Sequence, residues 1–193
     1  MRLLRRRLAL LLACLAPLLA APVSASESVA WAALRSGGHV ALMRHADAPG
    51  GAGDPPGFDL ADCSTQRNLS AKGRAEAVAA GKAFKARGVS VAAILSSPWC
   101  RCLETARLME LGPVRTEEAF SNAFVLRDRR EALRERAAAL LSGWTGGTLL
   151  VVTHGANIQA LTGQHPASGE IVVIAPRGDA LRVVGRIPVP GQP

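Results

Sequence analysis

Two histidines and two arginines stand in this sequence where apolar runs give out. Arg44–His45 follows Gly38–Met43, and His154–Gly155 follows Thr148–Thr153. Between them, Ser96–Ser97–Pro98–Trp99–Cys100–Arg101 follows Val91–Leu95. A guanidinium offers planar, paired N–H donors that match phosphate oxygens. A neutral imidazole can attack phosphorus and hold the phosphoryl group covalently. A second histidine can donate to the equatorial oxygens, where transition-state charge accumulates. Singly, each of these residues is an ordinary structural or surface feature; their combination and order point to phosphoryl chemistry. His39 and His165 have no comparable company and read as structural.

The elements that must position these residues alternate between strand and helix. Gly38–Met43, Val91–Leu95 and Thr148–Val152 are continuous apolar runs and read as buried strands, with a short strand at Val114–Glu117. A last pair is expected at Ile171–Ala175 and Ala180–Val184. Ser70 is a candidate N-cap of a helix that Gly88 closes, with Ala77, Ala80, Gly81 and Phe84 on its apolar face. Further helices are expected from Pro98 to about Met109, over Arg127–Leu141 and over Ala156–Leu161, the last adding oriented N–H groups beside His154. The Gly- and Pro-rich stretch Asp47–Asp59 is a loop. Strands alternating with helices predict an α/β fold: a three-layer α/β/α sandwich on a mostly parallel sheet. Ligands of such sheets bind at the carboxyl ends of the strands.

The first 25 residues read differently. Arg2, Arg5, Arg6 and Arg7 precede the apolar stretch Leu8–Ala20, and Val23–Ser24–Ala25 supplies small residues for cleavage. This is the pattern of a secretory signal peptide, too short for a comfortable membrane span. Residues 26–193 then form one domain that is periplasmic or secreted, with no stable membrane insertion. Lipid attachment at Cys14 is the lesser alternative. The full chain carries 23 basic and 15 acidic groups; without the leader the net charge falls from +8 to +4. That balance, with 4% aromatics and no Tyr, argues against a nucleic-acid surface and suits a small anionic ligand. Three cysteines remain. In an oxidising compartment Cys63 is expected to bridge to Cys100 or Cys102.

The motifs resemble those of the histidine phosphatase superfamily, which includes the cofactor-dependent phosphoglycerate mutases and the phosphohistidine phosphatases. Arg44–His45–Ala46 resembles its Arg-His-Gly, with Ala in third place. Ser96–Ser97–Pro98–Trp99–Cys100–Arg101–Cys102–Leu103–Glu104–Thr105–Ala106 is similar to its Ser-Ser-Pro…Arg…Thr-Ala segment. His154–Gly155 matches the late His-Gly, and Leu69–Ser70–Ala71–Lys72–Gly73 a recurring helix start. The likeness spans about Gly38 to Ala175 and implies a phosphoglycerate mutase-like fold. It implies His45 as nucleophile, Arg44 and Arg101 as a phosphoryl clamp, His154 as stabiliser, and neither metal nor cofactor. The residues alone suggest the same roles. Gln66, Arg67 and Asn68 are candidates for the pocket mouth, and Arg67, Asn68 and Gly155 for substrate binding.

The general acid departs from the family pattern. The position that aligns with the family's Glu holds Asn122, with Glu117, Glu118 and Asp128 as nearby substitutes. Amide for acid favours leaving groups that depart without protonation. Two rival readings follow. One is a catalytically weak module that binds phosphate or a phosphorylated ligand in the same pocket. The other is a metal-dependent hydrolase using His45 and His154, disfavoured because no ligand spacing accompanies them.

Overall fold

The computed structural model describes residues 25–51, 53–177 and 180–189. The expected leader, apart from Ala25, and the alternative of lipid attachment at Cys14 lie outside the described residues.

The apolar runs become a single six-stranded sheet: β1 (Val40–Arg44), β2 (Val91–Ser96), β3 (Val114–Thr116), β4 (Thr148–Thr153), β5 (Ile171–Arg177) and β6 (Ala180–Ile187). Their order is β3-β2-β4-β1-β5-β6. The first four strands pair in parallel, while β5 is antiparallel to both β1 and β6. The sheet is therefore mixed, with β5 alone running against the rest.

Five helices cover both faces: α1 (Ala25–Ser36), α2 (Ala71–Ala86), α3 (Cys100–Leu108), α4 (Arg130–Ser142) and α5 (Gly155–Thr162). Successive strand residues point to opposite faces, and the core divides accordingly. Ala41, Met43, Leu150 and Val152 pack with Trp31 and Leu34 of α1, Ala80 and Phe84 of α2 and Ala106 of α3. Val40, Leu42, Leu149 and Val151 pack with Ala137 and Leu141 of α4 and Ile158 of α5. The α/β/α layering expected from the sequence is present.

Helix α1 is an element that the sequence reading leaves unassigned. Ala30, Trp31 and Leu34 form its buried stripe, and Trp31 meets Phe84 edge-on at 5.2 Å. Elsewhere the expected elements form with shifts of a few residues, and a single 3-10 turn, Arg127–Arg129, precedes α4. Ser70 caps α2 as expected, its Oγ accepting from the Gly73 N–H at 2.9 Å. Two glycines of α2 are required by close approach. A Cβ on Gly73 would lie 2.1 Å from the Asp47 carbonyl oxygen, and one on Gly81 would lie 2.1 Å from that of Met109. Gly73 thus lets α2 pass directly against the backbone that leaves β1.

Candidate active site

The carboxyl ends of β1, β2 and β4 converge because these strands are neighbours. His45 leaves β1, Ser97 leaves β2 and His154 leaves β4. The His45 N–H bonds to the Thr153 carbonyl at 2.9 Å, and the Ser97 N–H bonds to that of Val152 at 2.9 Å. The two imidazoles meet edge-on with centroids 5.5 Å apart. Both are buried, at 3% exposure each.

The hydrogen bonds of His45 decide its tautomer. Its Nδ1–H donates to the Ala46 carbonyl at 2.9 Å, which leaves Nε2 unprotonated with its lone pair available. Burial is the largest cause that lowers its pKa, and the charges of Arg101, Arg67 and Arg44 add to it. Against the opposing bond to Ala46, the value falls to about 3. His45 is therefore a neutral imidazole at physiological pH, the form that attacks phosphorus. His154 is likewise held well below the usual range, first by burial and then by His45 and the same arginines. His154 Nε2 shares a 2.8 Å hydrogen bond with Ser97 Oγ, and the Trp99 ring stands edge-on to the imidazole at 5.4 Å. Behind it lies Cys102, whose Sγ is 3.6 Å from His154 Nε2. Burial pushes that thiol up to about 12, so it stays protonated and is no nucleophile.

A cavity of about 180 Å³ opens over the histidines, lined by Arg44, His45, Gly53, Arg67, Asn122, Phe124, His154, Gly155 and Ala156. Arg44 donates from Nη1 to the Pro166 carbonyl at 3.0 Å, while its Nε is buried without a partner. Gly155 lies against this guanidinium, where a Cβ would be 3.4 Å from Arg44 Cδ. Gly155 and Ala156 open α5, so their N–H groups lack intrahelical acceptors by position. Arg44 and Arg67 give the cavity lining two guanidinium groups and no carboxylate, a surround that suits an anion.

Arg101, the other arginine of the expected clamp, is held by a carboxylate. It is fully buried, is absent from the cavity lining, and pairs with the equally buried Asp54 at 2.6 Å. Asp54 is the residue that sequence reading missed. It belongs to the Gly/Pro loop, where an aspartate carries no local sign of a distant partner. Its Oδ1 accepts from Arg101 Nη1 at 2.6 Å and the Arg67 N–H at 3.1 Å. Its Oδ2 accepts from Arg101 Nη2 at 3.2 Å and the Trp99 indole at 2.9 Å. Burial pushes the Asp54 carboxyl up, but these donors and the charge of Arg101 together hold it below its ordinary range.

Of the other candidates, the structure brings Arg67 to the cavity and leaves Asn68 out of it. Arg67 Nε donates to the Gly53 carbonyl at 2.9 Å, and its Nη1 bonds to that of Ala48. Asn68 Nδ2 donates instead to the Cys63 and Gln66 carbonyls, and the residue faces a separate groove beside α3. Gln66 caps α3, its Oε1 accepting from the Cys100 N–H at 3.0 Å. Cys63 is bonded to Cys100, which resolves the pairing that the sequence left open, and Cys102 is the free thiol.

Asn122 does line the cavity, as its alignment with the family's acid implies. Its Oδ1 accepts from the Phe124 N–H at 3.0 Å, and Asn157 fixes this segment by bonding to Ser121 and Ala123. The three substitute carboxylates are not in the cavity. Glu117 caps a 3-10 turn at Glu118–Phe120 through the Ala119 N–H, Glu118 accepts from Ser121 Oγ at 3.1 Å, and Asp128 is exposed. Among the described residues, no group of three or more His, Cys, Asp or Glu side chains converges as metal ligands. Nor is any helix among them long and apolar enough to cross a membrane.

Comparison with known proteins agrees with this geometry. The sequence model of the histidine phosphatase superfamily (branch 1) matches residues 40–127. The match covers under half of the chain; with the phosphoglycerate mutase-like fold, it makes the chain similar to the histidine phosphatase superfamily. No individual curated protein matches it. Among solved structures, a protein assigned as an α-ribazole-5′-phosphate phosphatase from Escherichia coli is 18% identical, with a TM-score of 0.58 over 80% of this chain and 98% of its own. TTHB049 from Thermus thermophilus is 18% identical, with a TM-score of 0.56 over 78% of this chain and 99% of its own. The protein histidine phosphatase SixA complexed with tungstate is 17% identical, with a TM-score of 0.51 over 78% of this chain and 96% of its own.

Proposed function

We propose that this chain is an exported, metal-independent phosphatase that works through a phosphohistidine on His45. The observation that carries this reading is the state of His45. Its Nδ1–H is tied to a carbonyl, and its Nε2 is free and unprotonated beside a cavity whose acting charges are cationic. In the first step the Nε2 lone pair attacks phosphorus, the P–N bond forms and the bond to the leaving oxygen breaks. In the second, water attacks phosphorus, the P–N bond breaks and neutral His45 returns. Over the cycle one water is consumed, and the leaving group and phosphate are released. Arg44, Arg67, His154 and the first N–H groups of α5 surround the transferring group and stabilise its oxygens. Likeness to SixA, which was solved with the tetrahedral oxyanion tungstate, supports a phosphoryl-sized site.

With Asn122 where a titrating acid would stand, nothing in the cavity protonates an alkoxide. The substrates are therefore small phosphorylated anions with good leaving groups, such as aryl esters or phosphoanhydrides. The Cys63–Cys100 disulfide supports export, because such bonds persist in oxidising compartments. The test is hydrolysis of an aryl phosphate by the chain from Ser26 onward, with and without EDTA, beside His45→Ala. Turnover that survives EDTA and disappears in the variant is the expected result. Phosphate binding without turnover would mark a binding module instead.

A further inference from the structure

We propose that Asp54 is a positioning residue for phosphoryl binding: it grips one edge of the Arg101 guanidinium so that the opposite, unpartnered edge is offered to phosphoryl oxygens. This rests on the phosphatase reading above and adds a residue from outside its motifs.

The guanidinium of Arg101 has five N–H groups on three edges. Asp54 takes the end-on edge, with Nη1 on Oδ1 at 2.6 Å and Nη2 on Oδ2 at 3.2 Å. The other Nη1 hydrogen is directed to the Arg67 carbonyl at 3.3 Å. What remains is the side-on edge, formed by Nε–H and the second hydrogen of Nη2. Nε is buried and has no partner. A buried donor without an acceptor costs free energy, and native interiors rarely leave one unmade. Arg44 Nε, on the cavity wall, is in the same condition. These are the two buried side-chain polar atoms without partners among the described residues, and both belong to cations whose charges act on His45 and His154. One tetrahedral anion beside His45 would supply oxygens to both.

Asp54 is itself fixed from several sides. Each of its oxygens receives two donors, from Arg101 and Arg67 on one and from Arg101 and Trp99 on the other. No lone pair is left for a proton, so Asp54 is a carboxylate and not the missing general acid. Its loop is tied to Arg67, which lines the cavity. The same carboxylate therefore sets the rotation of Arg101 and the backbone position of Arg67.

A mere counter-ion predicts the opposite sign from a positioning residue. Removing a negative charge beside an anion site strengthens anion binding by Coulomb's law, whereas losing the grip on Arg101 weakens it. The experiment is calorimetric titration of the purified chain, Asp54→Asn, Arg101→Lys and the double variant with inorganic phosphate. Asp54→Asn is expected to weaken binding about 10-fold or more, in the range of supporting residues around other sites. The double variant should bind no more weakly than Arg101→Lys alone. Unchanged or tighter binding by Asp54→Asn, or losses that multiply in the double variant, overturns the proposal. A measurement on the unmutated chain covers the case in which Asp54→Asn fails to fold. The Arg101 Nε–H resonance, assigned with Arg101→Lys, should shift on titration with phosphate, and its indifference would sink the idea. Aryl phosphate hydrolysis is run in parallel. Absent turnover with the binding pattern intact removes the phosphatase reading alone. Normal turnover with Asp54→Asn binding phosphate as the unmutated chain does removes this inference alone.

Discussion

The ends of β1 and β4 and the loop that carries Gly53 and Arg67 border one cavity but are held in place by different forces. His45 and His154 extend from strands that are completely buried: every residue of β4 and the first four of β1 are inaccessible. Shifting either imidazole means disturbing a parallel ladder packed on both faces. The loop has no such backing. It is rich in Gly and Pro, and it stays in place through Arg67, Asp54, Gln66 and one disulfide to the start of α3. The proposed reacting group thus stands on the sheet, and part of the charge proposed to hold the anion stands on a strapped loop. Damage to the first region should remove chemistry at little cost in binding. Damage to the second should weaken stability and affinity while chemistry survives.

The sharpest way to break the contrast is at His45. His45→Ala should lower kcat for aryl phosphate by about 10⁴-fold or more, as loss of a covalent nucleophile does elsewhere. Inorganic phosphate should still bind, because the arginines remain. Loss of phosphate binding together with turnover would show that the strand ends hold the ligand too. The disulfide tests the other region. Closing a loop with a sequence separation of 37 stabilises by about 4 kcal/mol on the chain-entropy model. Cys63→Ser with Cys100→Ser should lower the stability read from denaturant unfolding by roughly that amount. KM should rise more than kcat falls, because Arg67 follows Cys63 in the freed segment. A selective fall in kcat would contradict the division of labour.

The same contrast separates what the sequence displayed from what it concealed. Strands β1, β2 and β4 were legible because full burial leaves unbroken apolar runs, and their ends drew attention to Arg44, His45 and His154. Ser70 was legible because a cap demands a particular residue type at a helix start, whereas Gly73 stood out only through its likeness to a recurring helix start and its close approach to Asp47 did not show. Asp54 was not. Its partner Arg101 is 47 residues away, and an aspartate among glycines and prolines looks like any turn residue. Arg101 matched its motif, yet its side chain is directed by that unseen aspartate and not by local sequence. The choice between Cys100 and Cys102 was also hidden. Two residues apart on a helix point about 200° away from each other, so one meets Cys63 and the other enters the core. Which one does so depends on how α3 rests on the sheet. Helix α1 carries a stripe at Ala30, Trp31 and Leu34, but it directly adjoins the segment that reads as a leader, and that continuity hides it in the sequence.

Asn122 offers a gain of function where the two regions meet the leaving group. Aryl phosphates should be turned over with higher kcat/KM than alkyl phosphates, and equal values would show that the cavity protonates the leaving oxygen after all. Asn122→Glu should raise alkyl phosphate turnover about 10-fold, short of the ~10²–10⁴ that a fully aligned acid supplies. Aryl turnover should change little. A uniform loss on both substrates would mean that the added carboxylate repels the anion instead of protonating the leaving group.

The smallest effect at neutral pH concerns the stability cost of keeping His45 neutral. In the unfolded chain this imidazole titrates near 6.5, and in the folded protein burial lowers it to about 3. Between those values the unfolded state binds the extra proton, so stability rises with pH across the window and is lost as pH falls through it. Above pH 6.5 both states are neutral there and His45 contributes no slope. His154 is shifted in the same direction, so the two histidines act together. Unfolding midpoints measured from pH 8 to pH 4 should therefore be flat at first and fall below about 6.5. His45→Gln should reduce the acid slope by on the order of 1 kcal/mol per pH unit and leave the neutral plateau in place. An unchanged slope would mean that His45 titrates in the folded protein as it does in the unfolded chain, so that burial does not hold it neutral below pH 6.5.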